Sequence, residues 1–157
     1  MVTINIIKKQ RRLQLMSGKR IILSCDIGLG PAPEAPKTRE GDGKTPEGCY
    51  AVCTRNEQSK YTLFLGLNYP SLNDAMPVYE QGIITLAQLK AIHYAHANGL
   101  RPPWDTPLGG QIGIHGGGIQ NGGILADNTA GCVALRDTDI KKLWNYAGIG
   151  TPVIICP

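Results

Sequence analysis

Apolar and polar residues alternate along the first 25 positions of the chain, a pattern typical of β-strands with one buried face. It predicts strands at Val2–Ile7, Leu13–Met16 and Lys19–Cys25. The same reasoning predicts further strands at Cys49–Thr54, Tyr61–Leu67, Gln111–Ile114, Cys132–Leu135 and Val153–Cys156. The pattern therefore indicates a mainly β, mostly antiparallel domain.

Helical spacing of apolar residues appears in two later segments. Thr85 and Gln88 form a capping box at the start of the first, which ends near Gly99. The second is predicted from about Thr138, with Asp137 as its N-cap. We therefore expect one or two helices packed on the sheet.

Two loops are too rich in glycine or proline for regular structure. Residues 28–48 form a loop of about twenty residues, and loops of that length in a compact domain are usually functional. Residues 116–128 form a glycine-rich connection between two predicted strands. The second loop lies between His115 and Cys132, the two residues that carry the candidate chemistry.

Composition fits a single globular domain over residues 1–157, with 42% hydrophobic and 18% charged residues. No apolar run approaches the ~20 residues that would span a bilayer, and the first residues do not resemble a secretion signal. The net charge of +4 comes largely from the cluster Lys8–Arg12. We interpret this cluster as a solvated hairpin and expect no nucleic-acid binding, because no aromatic residues lie among its charges.

Four of the five cysteines, Cys25, Cys49, Cys53 and Cys156, lie in apolar, strand-like contexts and are expected to be buried as small hydrophobic side chains. Four residues of strand would place Cys49 and Cys53 about 13 Å apart, too far for a disulfide. No C-x-x-C pair occurs, so a structural zinc site is not expected.

The fifth cysteine, Cys132, lies seventeen residues after His115, and glycines flank both positions. A free thiol with a pKa near 8.5 is mostly protonated at neutral pH, so a nucleophilic cysteine needs a neighbouring base. The glycines allow backbone N–H groups to approach a substrate carbonyl, as an oxyanion hole requires. This pairing predicts a cysteine enzyme of the acyl-transfer class.

Five motifs in a fixed order extend this prediction to nearly the whole chain. They are Gly41–Gly48, Tyr69-Pro70 with Asn73-Asp74, Leu108–Gly116, Thr129–Val133 and Gly150–Val153. In this order they resemble the L,D-transpeptidase catalytic domain, the YkuD family. The resemblance implies a β-sandwich-like fold, a place in the cell envelope, and no metal or organic cofactor.

The resemblance also implies roles for individual residues. Cys132 would be the nucleophile and His115 the general base, with Gly116 as the matching neighbour of the histidine. In this family the third partner of the imidazole is commonly a backbone carbonyl and not a carboxylate. We expect the N–H groups of Cys132 and Gly131 as oxyanion donors on physical grounds. The substrate would be a peptidoglycan tetrapeptide stem, which forms a thioester with Cys132 before an amine acceptor from a second stem, a D-amino acid or a protein lysine resolves it.

The chain departs from the family motif at two positions, because Ala130 and Ala134 stand where a histidine and an arginine are common. We expect Arg136 to replace the missing arginine, since it would share a strand face with position 134. Thr129 is a further substrate-binding candidate. Tyr69 and Trp104 are candidates for the mouth of the site, with Trp104 equally able to cover the core.

Two other functions fit the same residues. A thiol hydrolase of the L,D-carboxypeptidase type would pass the thioester to water. A binding domain that has lost its chemistry would hold peptidoglycan without needing Cys132 or His115, and the missing arginine is the one feature that favours it.

Overall fold

The predicted strands assemble into one eight-stranded sheet in a computed structural model that describes all residues from Met1 to Pro157. The elements are β1 (Val2–Ile7), β2 (Arg12–Ser17), β3 (Arg20–Asp26), β4 (Gly48–Ser59), β5 (Thr62–Leu67), α1 (Leu72–Glu80), α2 (Leu86–Ala97), β6 (Gly113–His115), β7 (Gln120–Asn121), β8 (Ile124–Leu125), β9 (Val133–Ala134), α3 (Asp137–Trp144) and β10 (Pro152–Cys156). The strand order in the sheet is β3-β2-β1-β10-β4-β5-β6-β9, and β7 and β8 form a separate small hairpin.

The sheet curls until its two ends meet. Neighbouring strands are antiparallel except for β1 with β10 and β6 with β9, which are parallel. Gly28, just after β3, exchanges two backbone hydrogen bonds with Ala134 of β9, at 2.9 and 2.8 Å. This bridge joins the two edges of the sheet, so β3 and β9 come together beside Cys132.

A continuous core of 27 buried residues fills the curled sheet. Alternate side chains of the central strands face it, and they include Ile4, Ile6, Leu13, Leu15, Val153 and Ile155. Helix α2 adds Leu89 and Ile92, and α3 adds Ile140 and Leu143. The strand pattern read from the sequence is therefore the pattern of the core, as the period-2 alternation requires.

The structure contains three helices, so the expectation of one or two is wrong. Helix α2 and its Thr85–Gln88 capping box are confirmed. The unexpected helix is α1, which begins with a second capping box formed by Ser71 and Asp74 and contains Pro77. None of the three helices is long and apolar enough to cross a membrane.

Several predicted details differ from the structure. Arg136, not Asp137, is the N-cap of α3, and its side chain makes no capping hydrogen bond. Strand β4 continues to Ser59, whereas β9 has only two residues. Of the four cysteines expected in the core only Cys25 is buried; Cys49 is exposed, the other two are half-buried, and all five are free thiols.

The basic cluster is not a solvated hairpin, because Lys8 is buried with only 2% of its surface exposed. Its Nζ donates hydrogen bonds to the carbonyls of Ala35 and Thr45 at 3.1 and 2.9 Å, and it pairs with Glu47 Oε1 at 3.0 Å. All three acceptors belong to the loop of residues 28–48. One lysine on the first hairpin therefore anchors the long loop to the sheet.

We expect the substitution Lys8→Met to lower the free energy of unfolding by about 3 kcal/mol, because it leaves Glu47 and two buried carbonyls without their partner. Lys9→Met is the matched control, since Lys9 is the exposed neighbour. Urea unfolding curves of both variants and the wild type check this. Equal midpoints for the two variants would show that the buried ammonium group does not stabilise the loop.

Candidate active site

The parallel pairing of β6 with β9 places the two predicted reactive residues on one cleft. Their register sets Ile114 opposite Val133 and His115 opposite Ala134, and Cys132 directly precedes β9. His115 and Cys132 both line a cleft of about 1070 Å³. The structure therefore brings together the two side chains that the sequence singled out.

The imidazole of His115 is fixed by its own neighbour. Its Nδ1 lies 2.6 Å from the carbonyl oxygen of Gly116, and because a carbonyl can only accept, Nδ1 carries the proton. The bare Nε2 is then the basic atom. The ring stacks on Tyr61, with centroids 4.3 Å apart and an angle of 21° between the planes. Burial lowers the pKa of His115 and thereby favours the neutral imidazole. The hydrogen bond to Gly116 raises the pKa by a smaller amount.

The Cys132 thiol donates a hydrogen bond to the carbonyl oxygen of Gln111 at 3.3 Å and makes none with His115. Burial raises the pKa of this thiol, while a backbone hydrogen bond with Gly113 and the positive charge of Lys37 lower it. Burial prevails, so the resting thiol is protonated. The site therefore holds a neutral thiol and a neutral base on the same cleft.

The turn before Cys132 is held by Thr129. Its hydroxyl donates to the carbonyl of Cys132 at 2.7 Å and accepts the Gly131 N–H at 3.2 Å. The N–H of Gly131 is thus occupied, and the expectation that it is an oxyanion donor is wrong for this conformation. The N–H of Cys132 has no protein acceptor and remains available. Thr129 lines the cleft, but the proton of its hydroxyl already serves the turn.

Tyr69 does not form the mouth of the site, as the sequence had suggested. It is 0% exposed, and its hydroxyl donates to the carbonyl of Leu108 at 2.8 Å. Its own carbonyl accepts a hydrogen bond from Trp104 Nε1 at 3.1 Å. Trp104 does line the cleft, so Tyr69 contributes by orienting that indole.

The expectation for Arg136 is also wrong. Strand β9 ends at Ala134, so the alternation that would put residues 134 and 136 on one face does not continue. Ala134 lines the cleft, whereas Arg136 pairs with Asp26 at 3.1 Å and donates to the carbonyl of Gly123 at 2.7 Å. Arg136 therefore cannot replace the arginine that the family motif has at position 134.

The structure adds Lys37, which the sequence did not suggest. It is buried on the wall of the cleft and pairs with Asp42, Nζ to Oδ1 3.0 Å. Asp42 also accepts backbone N–H groups of its own loop, the way in which aspartate side chains commonly stabilise turns. Lys37 is separated from Cys132 by more than ninety residues, so no local pattern could connect them.

No group of three or more His, Cys, Asp or Glu side chains is arranged to hold a metal ion.

We expect the imidazole of His115 to titrate below its ordinary value near 6.5, because burial disfavours the charged ring. An NMR titration of the ring carbon and nitrogen resonances measures this, and the nitrogen shifts report the tautomer. A midpoint at or above 6.5, or a proton on Nε2 in the neutral form, would contradict the geometry.

We expect Gly131→Ala to disable the Cys132 turn. Gly131 has φ +131°, and an added Cβ would lie 2.6 Å from the carbonyl oxygen of Lys44. Backbone strain of this kind costs about 1–3 kcal/mol, and the clash must move the turn as well. Thermal unfolding and the alkylation rate of Cys132 should both change. Gly148→Ala is the control, because no atom lies near its added Cβ; similar behaviour of the two variants would refute the argument.

Several solved structures have the same fold, and each match extends over almost all of this chain. Bd1075 of Bdellovibrio bacteriovorus is 28% identical with a TM-score of 0.59, and the match covers 99% of this chain and 47% of that one. The helical cell shape determining protein Pgp2 of Campylobacter jejuni is 22% identical with a TM-score of 0.65, over 98% and 46% of the two chains. An L,D-transpeptidase of Xylanimonas cellulosilytica is 19% identical with a TM-score of 0.56, over 99% and 60%.

This chain therefore spans about half the length of the solved proteins that it matches. No curated protein has a sequence that matches it. The family model of the L,D-transpeptidase catalytic domain, YkuD, matches residues 1–155. The curled sheet with three helices agrees with that match. The chain belongs to the YkuD family of L,D-transpeptidase catalytic domains.

Proposed function

We propose that this protein is a cysteine-dependent L,D-transpeptidase that acts on peptidoglycan tetrapeptide stems. The observation that carries the proposal is the cleft that Cys132 and His115 both line. His115 carries its proton on Nδ1, so Nε2 is free to act as the base. Family membership supplies the substrate class. The reaction would take place in the cell envelope, where peptidoglycan is found.

The first half-reaction would begin when the Cys132 proton leaves the Gln111 carbonyl and passes to Nε2 of His115. The thiol makes no hydrogen bond with His115 at rest, so it would have to turn away from Gln111 or transfer its proton through a bridging water. Catalytic hydrogen bonds are often long or absent before substrate binds. The thiolate sulfur then attacks the carbonyl between the third residue, a diamino acid, and the terminal D-alanine. The N–H of Cys132, which has no acceptor within the protein, would stabilise the resulting oxyanion.

Collapse of this intermediate breaks the C–N bond, and His115 returns the proton to the leaving D-alanine amine. A thioester with Cys132 remains. An acceptor amine then attacks the thioester carbonyl, gives its proton to His115 and displaces the thiolate. If water takes the place of the amine, the same residues perform the L,D-carboxypeptidase reaction.

The decisive experiment is mass spectrometry of a tetrapeptide muropeptide incubated with the protein and excess D-methionine. We expect a stem with D-methionine in place of D-alanine. We expect Cys132→Ala to give none, because Cys132 is the one thiol that lines the cleft. Intact-mass measurement of the protein should also show a thioester adduct that the variant lacks.

Each other outcome identifies a different function. Loss of D-alanine without replacement would assign the protein as the hydrolase. An unchanged stem, with equal binding of peptidoglycan by wild type and Cys132→Ala, would assign it as a binding domain. Cys25→Ala is a control for nonspecific effects of removing a thiol, because Cys25 is buried away from the cleft.

A further inference from the structure

A buried lysine on the wall of the cleft has no role in the steps above. The side chain of Lys37 is only 3% exposed, yet it lines the cleft together with Cys132. Its Nζ lies 3.5 Å from the Ala130 carbonyl oxygen. It also lies 3.5 Å from the point where a Cβ on Gly131 would be. The ammonium group is therefore held against the turn that carries the thiol.

Asp42 uses only part of the hydrogen-bonding capacity of Lys37. Asp42 Oδ1 accepts one N–H of the ammonium group at 3.0 Å, and the carboxylate also accepts backbone N–H groups of Thr38, Arg39 and Lys44 at 2.9, 3.2 and 3.1 Å. Those neutral donors stabilise the carboxylate without removing its charge, so Lys37 and Asp42 form a buried ion pair. An ammonium group has three N–H donors, of which Asp42 takes one and Ala130 a second, longer one. The third has no protein acceptor.

The rest of the cleft offers no comparable cation. Ala134 supplies a methyl group where the family motif has an arginine, and Arg136 is paired with Asp26 outside the cleft. Lys60 also lines the cleft, but it is exposed, so water and salt screen its charge. Lys37 is the one buried positive charge beside the nucleophile, and charge-assisted hydrogen bonds are strong in such a site.

We propose that the Lys37 ammonium group binds the C-terminal carboxylate of the donor stem, an inference that rests on the proposed function. A single carbon atom separates that carboxylate from the nitrogen of the bond to be broken. A cation beside the Cys132 turn can therefore reach it while the carbonyl lies over the thiol. Lys37 is in this view the residue that selects stems ending one residue after the cleavage point, because a longer stem would place its carboxylate elsewhere.

A pair of small alkylating reagents tests the carboxylate preference without a peptidoglycan substrate. Iodoacetate and iodoacetamide form the same S–C bond with Cys132 and release iodide, but only iodoacetate carries a carboxylate. Peptide-level mass spectrometry gives the rate at Cys132 separately from the four other thiols. We expect Lys37→Met to lower the ratio of the iodoacetate rate to the iodoacetamide rate by about tenfold.

Lys60→Met is the matched control, because it removes the same charge from the exposed tip of the β4–β5 hairpin; we expect its ratio to change by less than about twofold. Lys37→Arg keeps the charge and should retain most of the wild-type ratio. An unchanged ratio in Lys37→Met would overturn the proposal. So would an equal slowing of both reagents, which would assign Lys37 to the reactivity of the thiol alone.

A measurement on the wild type covers the case in which Lys37→Met does not fold. N-acetyl-D-alanine should protect Cys132 from iodoacetamide, and the corresponding amide should not; equal protection would overturn the proposal. With stems as substrates, a tetrapeptide with a free carboxylate should exceed its C-terminal amide in kcat/KM, and Lys37→Met should remove about a tenfold preference. If no stem reacts, the proposed function fails, while the alkylation and protection results still decide the role of Lys37.

Discussion

In the curled sheet, β6 and β9 run side by side in parallel, and this pairing fixes the distance between the base and the nucleophile. Parallel neighbours cannot be joined by a tight turn, so the chain must leave β6, cross over and return. The loop of residues 116–128 makes this connection. The bridge between Gly28 and Ala134 then holds β9 from its other side. A two-residue strand is a weak element alone, and these two partners give it a defined position.

Two buried ammonium groups order the long proline-rich loop, one from the sheet and one from within the loop. Lys8 reaches the loop from the first hairpin and satisfies two of its carbonyls and Glu47. Lys37 belongs to the loop itself and pairs with Asp42 within it. A loop of this length would lose much entropy on ordering, and the buried charge pairs make its order specific. The loop can then form one wall of the cleft in a defined conformation.

Burial gives the site its chemical character. It lowers the pKa of His115 and raises the pKa of Cys132, so the pair is neutral before substrate arrives. A neutral pair avoids the cost of burying an imidazolium and a thiolate together. The transition state would develop charge, and the N–H of Cys132, which has no acceptor within the protein, is the group that we expect to meet it. Such groups need no rearrangement at the moment of reaction.

The sequence by itself determined the strands of the core and the helix α2 with its capping box, and it predicted His115 and Cys132 as the reactive pair. These depend on periodicity, local capping and motif order, all of which are short-range properties of the chain. Helix α1 was missed although Ser71 and Asp74 form the same kind of capping box, because Pro70 before it and the internal Pro77 are signals against a helix. The local signal was present in that case but was weaker than the signals against it.

Only the tertiary structure decided which polar residues meet at the cleft. Arg136 lies close to Ala134 in sequence, but β9 ends between them, and the arginine turns to Asp26 instead. Tyr69 belongs to a motif of the family and is nevertheless buried, with Trp104 at the surface in its place. Lys37 reaches the Cys132 turn from far away in the chain, because the curled sheet brings its two edges together. Contacts between distant segments depend on the closure of the sheet, and no local pattern of residues encodes them.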